Sequence, residues 1–301
     1  MSNYDIGVVL LEKQKKCFGD RPDGMLIRDS DALHVFMPYI LRNRADAEAF
    51  IQETIDLTAI NAWLEQKNAQ NPQYKYSFFQ IISAAILKTV VLRPKLNRFI
   101  QGRRIYQRDH LSIAFVAKKL FDDDGEESLL MKRFEEDCTI DVVHDLIYQE
   151  VSKIRNGAND HSMEVINVLA KIPRPLLRIV SLLLRFLDYY GRVPQSIIKD
   201  EPNFASVFIS NLGSIKLHAG YHHLNNWGTN SIFLVIGEKY QAPLYDDQGN
   251  VTMRQVLDVG ITLDERIADG YYYAKSIKLF QYLLQHPQLL ERPAREVVDY
   301  E

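Results

Sequence analysis

A mixed β-sheet flanked by helices is the fold class that the sequence predicts. Three observations carry it. From Phe36 onward, strand-like runs alternate with apolar helical runs. The C-terminal third reads mainly as strands before a closing helix. No glycine-rich phosphate loop follows the first strand, which sets the chain apart from a doubly wound sheet.

Residues 1–34 read as an N-terminal arm and residues 35–301 as one domain. Arg21-Pro22-Asp23-Gly24 is turn chemistry: proline fixes φ, aspartate closes an Asx-turn and glycine tolerates φ > 0. Phe50 to Ile55 is a strand that ends at Asp56. Leu57 to Ala69 is a helix with Thr58 as its N-cap, and Asp56 is a further capping side chain. Ser77 to Leu92 is a strongly apolar helix stopped by Arg93-Pro94, because the residue before proline avoids the α region. Leu111 to Ala117 and Ser128 to Arg133 are strands. Ile140 to Arg155 is an amphipathic helix ended by Asn156-Gly157. Ala205 to Ser210 and Ser231 to Gly237 are strands. A turn at Asp246 to Asn250 leads into the strand Val251 to Leu263, and Asp269 to His286 closes the chain as a helix stopped by Pro287.

Composition narrows the function. The chain has 301 residues and a formal net charge of -3, so no basic surface points to nucleic acid. Asp122-Asp123-Asp124 with Glu126-Glu127 reads as a solvated acidic turn. Cys17 and Cys138 are far apart and lack metal-type spacing, which fits a reducing, cytoplasmic setting and gives no metal site. Met1 to Phe18 lacks a signal-peptide core. Gly-x-Ser-x-Gly is absent, which counts against an α/β-hydrolase.

Ile172 to Pro194, within an apolar helical stretch at about 160–200, stands apart. Leu176, Ile179, Val180, Leu183, Leu184 and Leu187 recur at helical spacing, with Arg174, Arg178 and Arg185 nearer the other face. The run is too short and too charged to span a bilayer, which takes about 20 apolar residues. Three uses fit it: a helix packed on the domain or on a neighbouring subunit, a peripheral membrane contact, or the wall of an acyl-chain pocket.

Several motifs resemble one family in order and spacing. Val207-Phe208-Ile209-Ser210-Asn211-Leu212-Gly213 is similar to a strand-to-turn motif of the dihydrolipoamide acyltransferase catalytic domains of 2-oxoacid dehydrogenase complexes, whose fold chloramphenicol acetyltransferase shares. Asp264-Glu265-Arg266-Ile267-Ala268-Asp269-Gly270 resembles the family's active-site motif, with the final helix and His286-Pro287 behind it. Glu53-Thr54-Ile55-Asp56, Arg93-Pro94-Lys95-Leu96-Asn97 and Lys153 to Gly157 match upstream motifs. The resemblance covers about residues 35–291, with Ile172 to Pro194 as an insertion.

That resemblance implies a chloramphenicol acetyltransferase-like fold in a homotrimer. It implies a coenzyme A thioester, or another acyl carrier, entering an interfacial channel opposite a thiol, hydroxyl or amine acceptor. The arm is too short for a lipoyl domain, so the likeness is to a stand-alone catalytic domain. By position, Ser210 is the hydroxyl donor to the oxyanion, Asp269 helps shape the site and Gly270 permits the turn into the helix. Glu265 stands where the family has its histidine base. A free glutamate has a pKa of about 4.3 against about 8.5 for a thiol, so Glu265 is a weak base unless burial raises it. It has an alternative role as the partner of Arg266. His222 and His223 offer a second source of base, since imidazole titrates near pH 6.5. Tyr271-Tyr272-Tyr273 reads as core and interface packing. An acyltransferase competes with a catalytically silent trimeric scaffold and with an acyl- or lipid-binding relative.

Overall fold

The computed structural model describes residues 16–118, 127–155, 171–246 and 248–300. The acidic residues 122–126, the Asn156-Gly157 helix end and most of the first eighteen residues lie outside these.

Two sheets organise the chain. The larger has the order β2 (Glu48–Asp56), β9 (Val251–Asp264), β8 (Ile232–Tyr245), β7 (Val207–Asn211), β5 (Leu111–Lys118) and β6 (Glu127–Phe134). β5, β7 and β8 run parallel and the other pairs are antiparallel, so the sheet is mixed. Side chains alternate between its faces. Ile209, Leu234 and Ile261 join the main core with Ile82 and Leu87 of α3 (Phe78–Leu92) and Phe280 and Leu283 of α7 (Gly270–Gln285). Each such side chain contributes roughly 1.5–3 kcal/mol by leaving water. Phe208, Phe233 and Val235 line the other face, covered by Leu224 from the loop between β7 and β8.

Local chemistry sets the helix starts. Ser77 and Gln80 form a capping box at α3. At α2 (Thr58–Asn68) the capping side chain is Asp56, not Thr58. Its Oδ1 accepts from the Thr58 N–H at 2.8 Å and the Thr58 hydroxyl at 2.6 Å, and Thr58 is the first helical residue. α4 (Ile140–Arg155) packs beside α3.

β8 runs well past Gly237, where the sequence ends it. A register shift between Ile236 and Lys239 marks a bulge, and the strand continues with alternating exposure beyond it. Gly237 is needed there, because a Cβ would lie 2.4 Å from the Ala219 nitrogen of the covering loop.

The smaller sheet, β1 (Gly24–Leu26), β4 (Arg104–Arg108) and β3 (Arg98–Gln101), is not evident from the sequence. It draws part of the N-terminal arm into the body. Arg21 is buried, paired with Asp23 at 2.9 Å and with Asp188 at 3.1 Å. α1 (Ala32–Ile40) follows, capped by Asp31.

The apolar segment forms α5 (Arg174–Tyr189), followed by one turn of helix, α6 (Gln195–Ile198). α5 is not packed into the domain along its length. Leu176, Ile179, Leu182, Leu183 and Phe186 are exposed, and buried Asp188 anchors its last turn to Arg21 and Gln101. Among the described residues no helix is long and apolar enough to cross a membrane.

Candidate functional site

Ser210 lies at the carboxyl end of β7, where the parallel strands β5 and β7 run out between α3 and α4. A cavity of about 510 Å³ opens there. Phe79, Phe115, Ile147 and Tyr148 give it an apolar wall, and Gln80, Ser152, Ser210 and Asn211 supply polar groups. The Ser210 hydroxyl is half-buried and makes no hydrogen bond among the described residues, so it is free to donate to a ligand. The neighbouring Asn211 Oδ1 is buried without a partner and lines the same cavity. The sequence reading missed Asn211 as a site residue, although its place beside Ser210 at a strand end was the available signal. The turn that follows is tight: a Cβ on Gly213 would sit 2.4 Å from the Gly237 carbonyl oxygen.

The segment Asp264 to Gly270 is fixed by a buried ion pair. The Asp264 carboxylate is fully buried and accepts from Arg266 Nε at 2.7 Å and Nη2 at 2.6 Å. Arg266 Nη1 donates to the Leu41 carbonyl at 2.9 Å, and the Tyr273 hydroxyl donates to the Asp264 carbonyl at 2.8 Å. Burial, with Asp264 beside it, holds the Tyr273 hydroxyl well above its usual range. Arg44 Nε is 3.8 Å from Asp264. Burial lowers the Arg44 guanidinium to about 10, with Asp264 opposing that shift and Arg266 adding to it.

Glu265 points the other way. Its backbone N–H donates to the Ala47 carbonyl at 2.9 Å, while its side chain is exposed and makes no hydrogen bond or ion pair among the described residues. The expected alternative, pairing with Arg266, is not formed because Asp264 takes that guanidinium. Within its own chain the Glu265 carboxylate is not buried.

Asp269 is the N-cap of α7. Its carboxylate accepts from the Tyr272 N–H at 2.9 Å, and that bond lowers its pKa. Gly270 has an ordinary φ and open space around it, so the turn into α7 does not require glycine within this chain. Tyr273 is core, Tyr272 lies under the Arg93 guanidinium at 3.8 Å, and Tyr271 is exposed.

His222 and His223 sit on the loop that crosses the outer sheet face. The His222 ring lies 4.2 Å from that of Phe233, which stacks on Phe208 at 4.7 Å. His222 Nδ1 is 2.8 Å from the His223 carbonyl oxygen, and both histidines are exposed. Neither hydrogen-bonds to Ser210 or Glu265. His218 Nε2 lies 3.6 Å from Glu238. No group of three or more His, Cys, Asp or Glu side chains that could hold a metal occurs among the described residues.

Register separates the two chemical positions. Ser210 is level with Val235 on β8, which is level with Gly260 on β9. Glu265 is five residues beyond Gly260, past the end of β9, and two strands away from β7. Strand rise and spacing put the two residues roughly 15–20 Å apart, at opposite ends of the sheet. They do not form one site within a single chain.

Residues 195–291, less than half of the chain, match the model of the family described as 2-oxoacid dehydrogenases acyltransferase (catalytic domain). That range contains Ser210, both loop histidines, Glu265 and Asp269. A probable dihydrolipoamide acetyltransferase from Listeria monocytogenes superposes with a TM-score of 0.58 at 13% identity, over 90% of this chain and 93% of that one. A dihydrolipoamide acetyltransferase from Azotobacter vinelandii, investigated for the catalytic role of a serine, a histidine and an asparagine, gives 0.56 at 15% identity, over 88% and 94%. The truncated catalytic core of a 2-oxoacid dehydrogenase multienzyme complex from Thermoplasma acidophilum gives 0.53 at 14% identity, over 87% and 98%. These likenesses establish the fold, a mixed sheet flanked by helices shared with the dihydrolipoamide acetyltransferase catalytic cores. Among curated proteins, no match to the chain is found.

Proposed function

We propose that the protein is an acyltransferase that takes its acyl group from a coenzyme A thioester and passes it to a thiol, hydroxyl or amine acceptor at the interface of a homotrimer. The observation that carries this reading is the free Ser210 hydroxyl in an apolar cavity, at the position resembling the family's oxyanion donor. The acceptor attacks the thioester carbonyl, its proton passes to a base, and the carbonyl oxygen gains charge. Ser210 donates to that oxygen. Collapse of the intermediate breaks the carbon–sulfur bond, and the departing thiolate takes up a proton.

Glu265 is the proposed base, supplied across the interface. A neighbouring subunit that covered its exposed carboxylate would strip water from it and hold it against the acceptor. His222 and His223 are second candidates from the loop beside Phe233. Asp269 holds the start of α7 behind Glu265.

A specific observation favours one competing reading. An exposed carboxylate is a weak base for a thiol, so the same assembly without turnover, as a trimeric scaffold or acyl-binding protein, is the second reading. Ser210→Ala separates the two. Loss of an oxyanion donor costs about 10²–10³ in rate. Release of coenzyme A from acetyl-CoA with a small thiol acceptor is expected to fall about 10²-fold in that variant. No turnover in the wild type, or an unchanged rate in Ser210→Ala, rejects the catalytic reading.

A further inference from the structure

A second cavity, of about 310 Å³, has Arg266 in its wall. It is bordered by α1, the β3–β4 turn and α5. Five arginines line it: Arg42, Arg44, Arg103, Arg185 and Arg266. The acids nearby are already engaged. Asp264 serves Arg266 and lies 3.8 Å from Arg44, and Asp188 pairs with Arg21 and accepts from Gln101. Arg42, Arg103 and Arg185 have no carboxylate partner among the described residues. Arg44 is buried; its Nη1 and Nη2 donate to the Asn225 and Ile100 carbonyls at 2.7 and 2.9 Å, and its Nε has no hydrogen-bond partner among the described residues.

The backbone is shaped to assemble this cluster. Gly102 and Arg103 form the β3–β4 turn, with φ of 57° and 60°. A left-handed arginine is a strained conformation that the surrounding contacts must hold. At Gly102 a Cβ would stand 2.4 Å from the Tyr189 carbonyl oxygen, so glycine lets the end of α5 close on the turn. That contact brings Arg185 of α5 and Arg103 to the same rim. Arg103 also stands 5.3 Å over the Tyr39 ring of α1. Arg266 is neutralised by Asp264, and Asp188 in the cavity wall is held by Arg21, so the positive potential comes from Arg42, Arg103, Arg185 and the Arg44 Nε, whose mutual repulsion a bound anion relieves. Guanidinium forks suit phosphate oxygens in geometry as well as charge.

We infer that this cavity binds a phosphate-bearing ligand, with Arg42, Arg103 and Arg185 at its mouth and Arg44 and Arg266 at its back. The inference does not rest on the acyl-transfer reading. The phosphate has two sources of matching chemistry. One is a soluble nucleotide-type ester such as coenzyme A. The other is an anionic lipid headgroup, which the exposed apolar faces of α1 and α5 beside the cavity would accompany into a bilayer surface.

The test uses the full chain, titrated calorimetrically with pyrophosphate and with coenzyme A, and floated with vesicles of phosphatidylcholine containing phosphatidylglycerol. The comparison is a double variant, Arg42→Gln with Arg185→Gln. Both side chains are exposed, so the variant is expected to fold, and its thermal unfolding checks this. The wild type is expected to bind pyrophosphate at one site per chain, more weakly as salt is raised, and the variant at least tenfold more weakly. Coenzyme A binding lost in the variant assigns the nucleotide source; flotation lost in the variant assigns the headgroup. Equal binding by both proteins, or no binding of any of the three probes by the wild type, overturns the inference. Ser210→Ala is expected to leave phosphate binding unchanged, so failure of the acyl-transfer reading is seen separately.

Discussion

Asp264 and Glu265 are consecutive carboxylates in opposite environments. Asp264 is fully buried against Arg266, while Glu265 faces solvent. The first fixes the segment and the second is available for chemistry. Placing histidine at Glu265 supplies a base that titrates near neutrality. Glu265→His is therefore expected to raise thioester turnover, within the 10²–10⁴ range of positioned acid–base catalysis; a rate no higher than wild type would remove this position from proton transfer. Asp269 gives a stability prediction. Asp269→Ala deletes an N-cap and is expected to cost about 1 kcal/mol in urea unfolding at pH 7. Because the folded state lowers the Asp269 pKa, the cap's contribution is complete above the unfolded value of about 3.9 and is lost as pH falls through the lower folded value. The difference between wild type and variant should thus shrink on acidification toward pH 3, and a difference that grows would contradict the cap.

At the scale of elements, the strands and helices of the large sheet were legible because their signals are local. Ser77 and Gln80 start α3, Pro94 follows its end, a consecutive apolar run marks β7 and apolar residues at Val256, Leu257, Val259, Ile261 and Leu263 mark β9. The β1–β4–β3 sheet was not legible. Its strands are short, and the arm beside β1 is held by Arg21 pairing with Asp188, a partner 167 positions away. The continuation of β8 past Gly237 was hidden for a related reason: the glycine that resembles a strand end is a bulge made to admit a distant loop. The helix at α5 was legible, but its lack of packing was not, since periodicity reports an apolar face and not what covers it. Two substitutions separate anchor from face. Asp188→Ala leaves buried Arg21 short of a partner and is expected to destabilise by about 3 kcal/mol. Ile179→Gln on the exposed stripe is expected to stay within about 0.5 kcal/mol in the isolated chain. A large loss from Ile179→Gln in chemical denaturation would show that this face is covered.

At the scale of the molecule, the fold explains why no complete site is found in one chain. Ser210 lies where parallel strands end, and Glu265 lies beyond the opposite end of β9. The position of Ser210 and the motif around Glu265 were readable as sequence. Their separation was not, because it follows from strand order and register. In the proposed homotrimer, an interfacial site would restore the pairing, with one subunit's serine facing another's glutamate. Subunit mixing tests this most directly. Chains carrying Ser210→Ala and chains carrying Glu265→Ala are each expected to be nearly inactive in thioester turnover. Refolded together, they should regain activity, because some interfaces then join an intact Ser210 to an intact Glu265. Mixed assemblies, verified by a tag on one partner, that show no more activity than either parent would contradict the shared site.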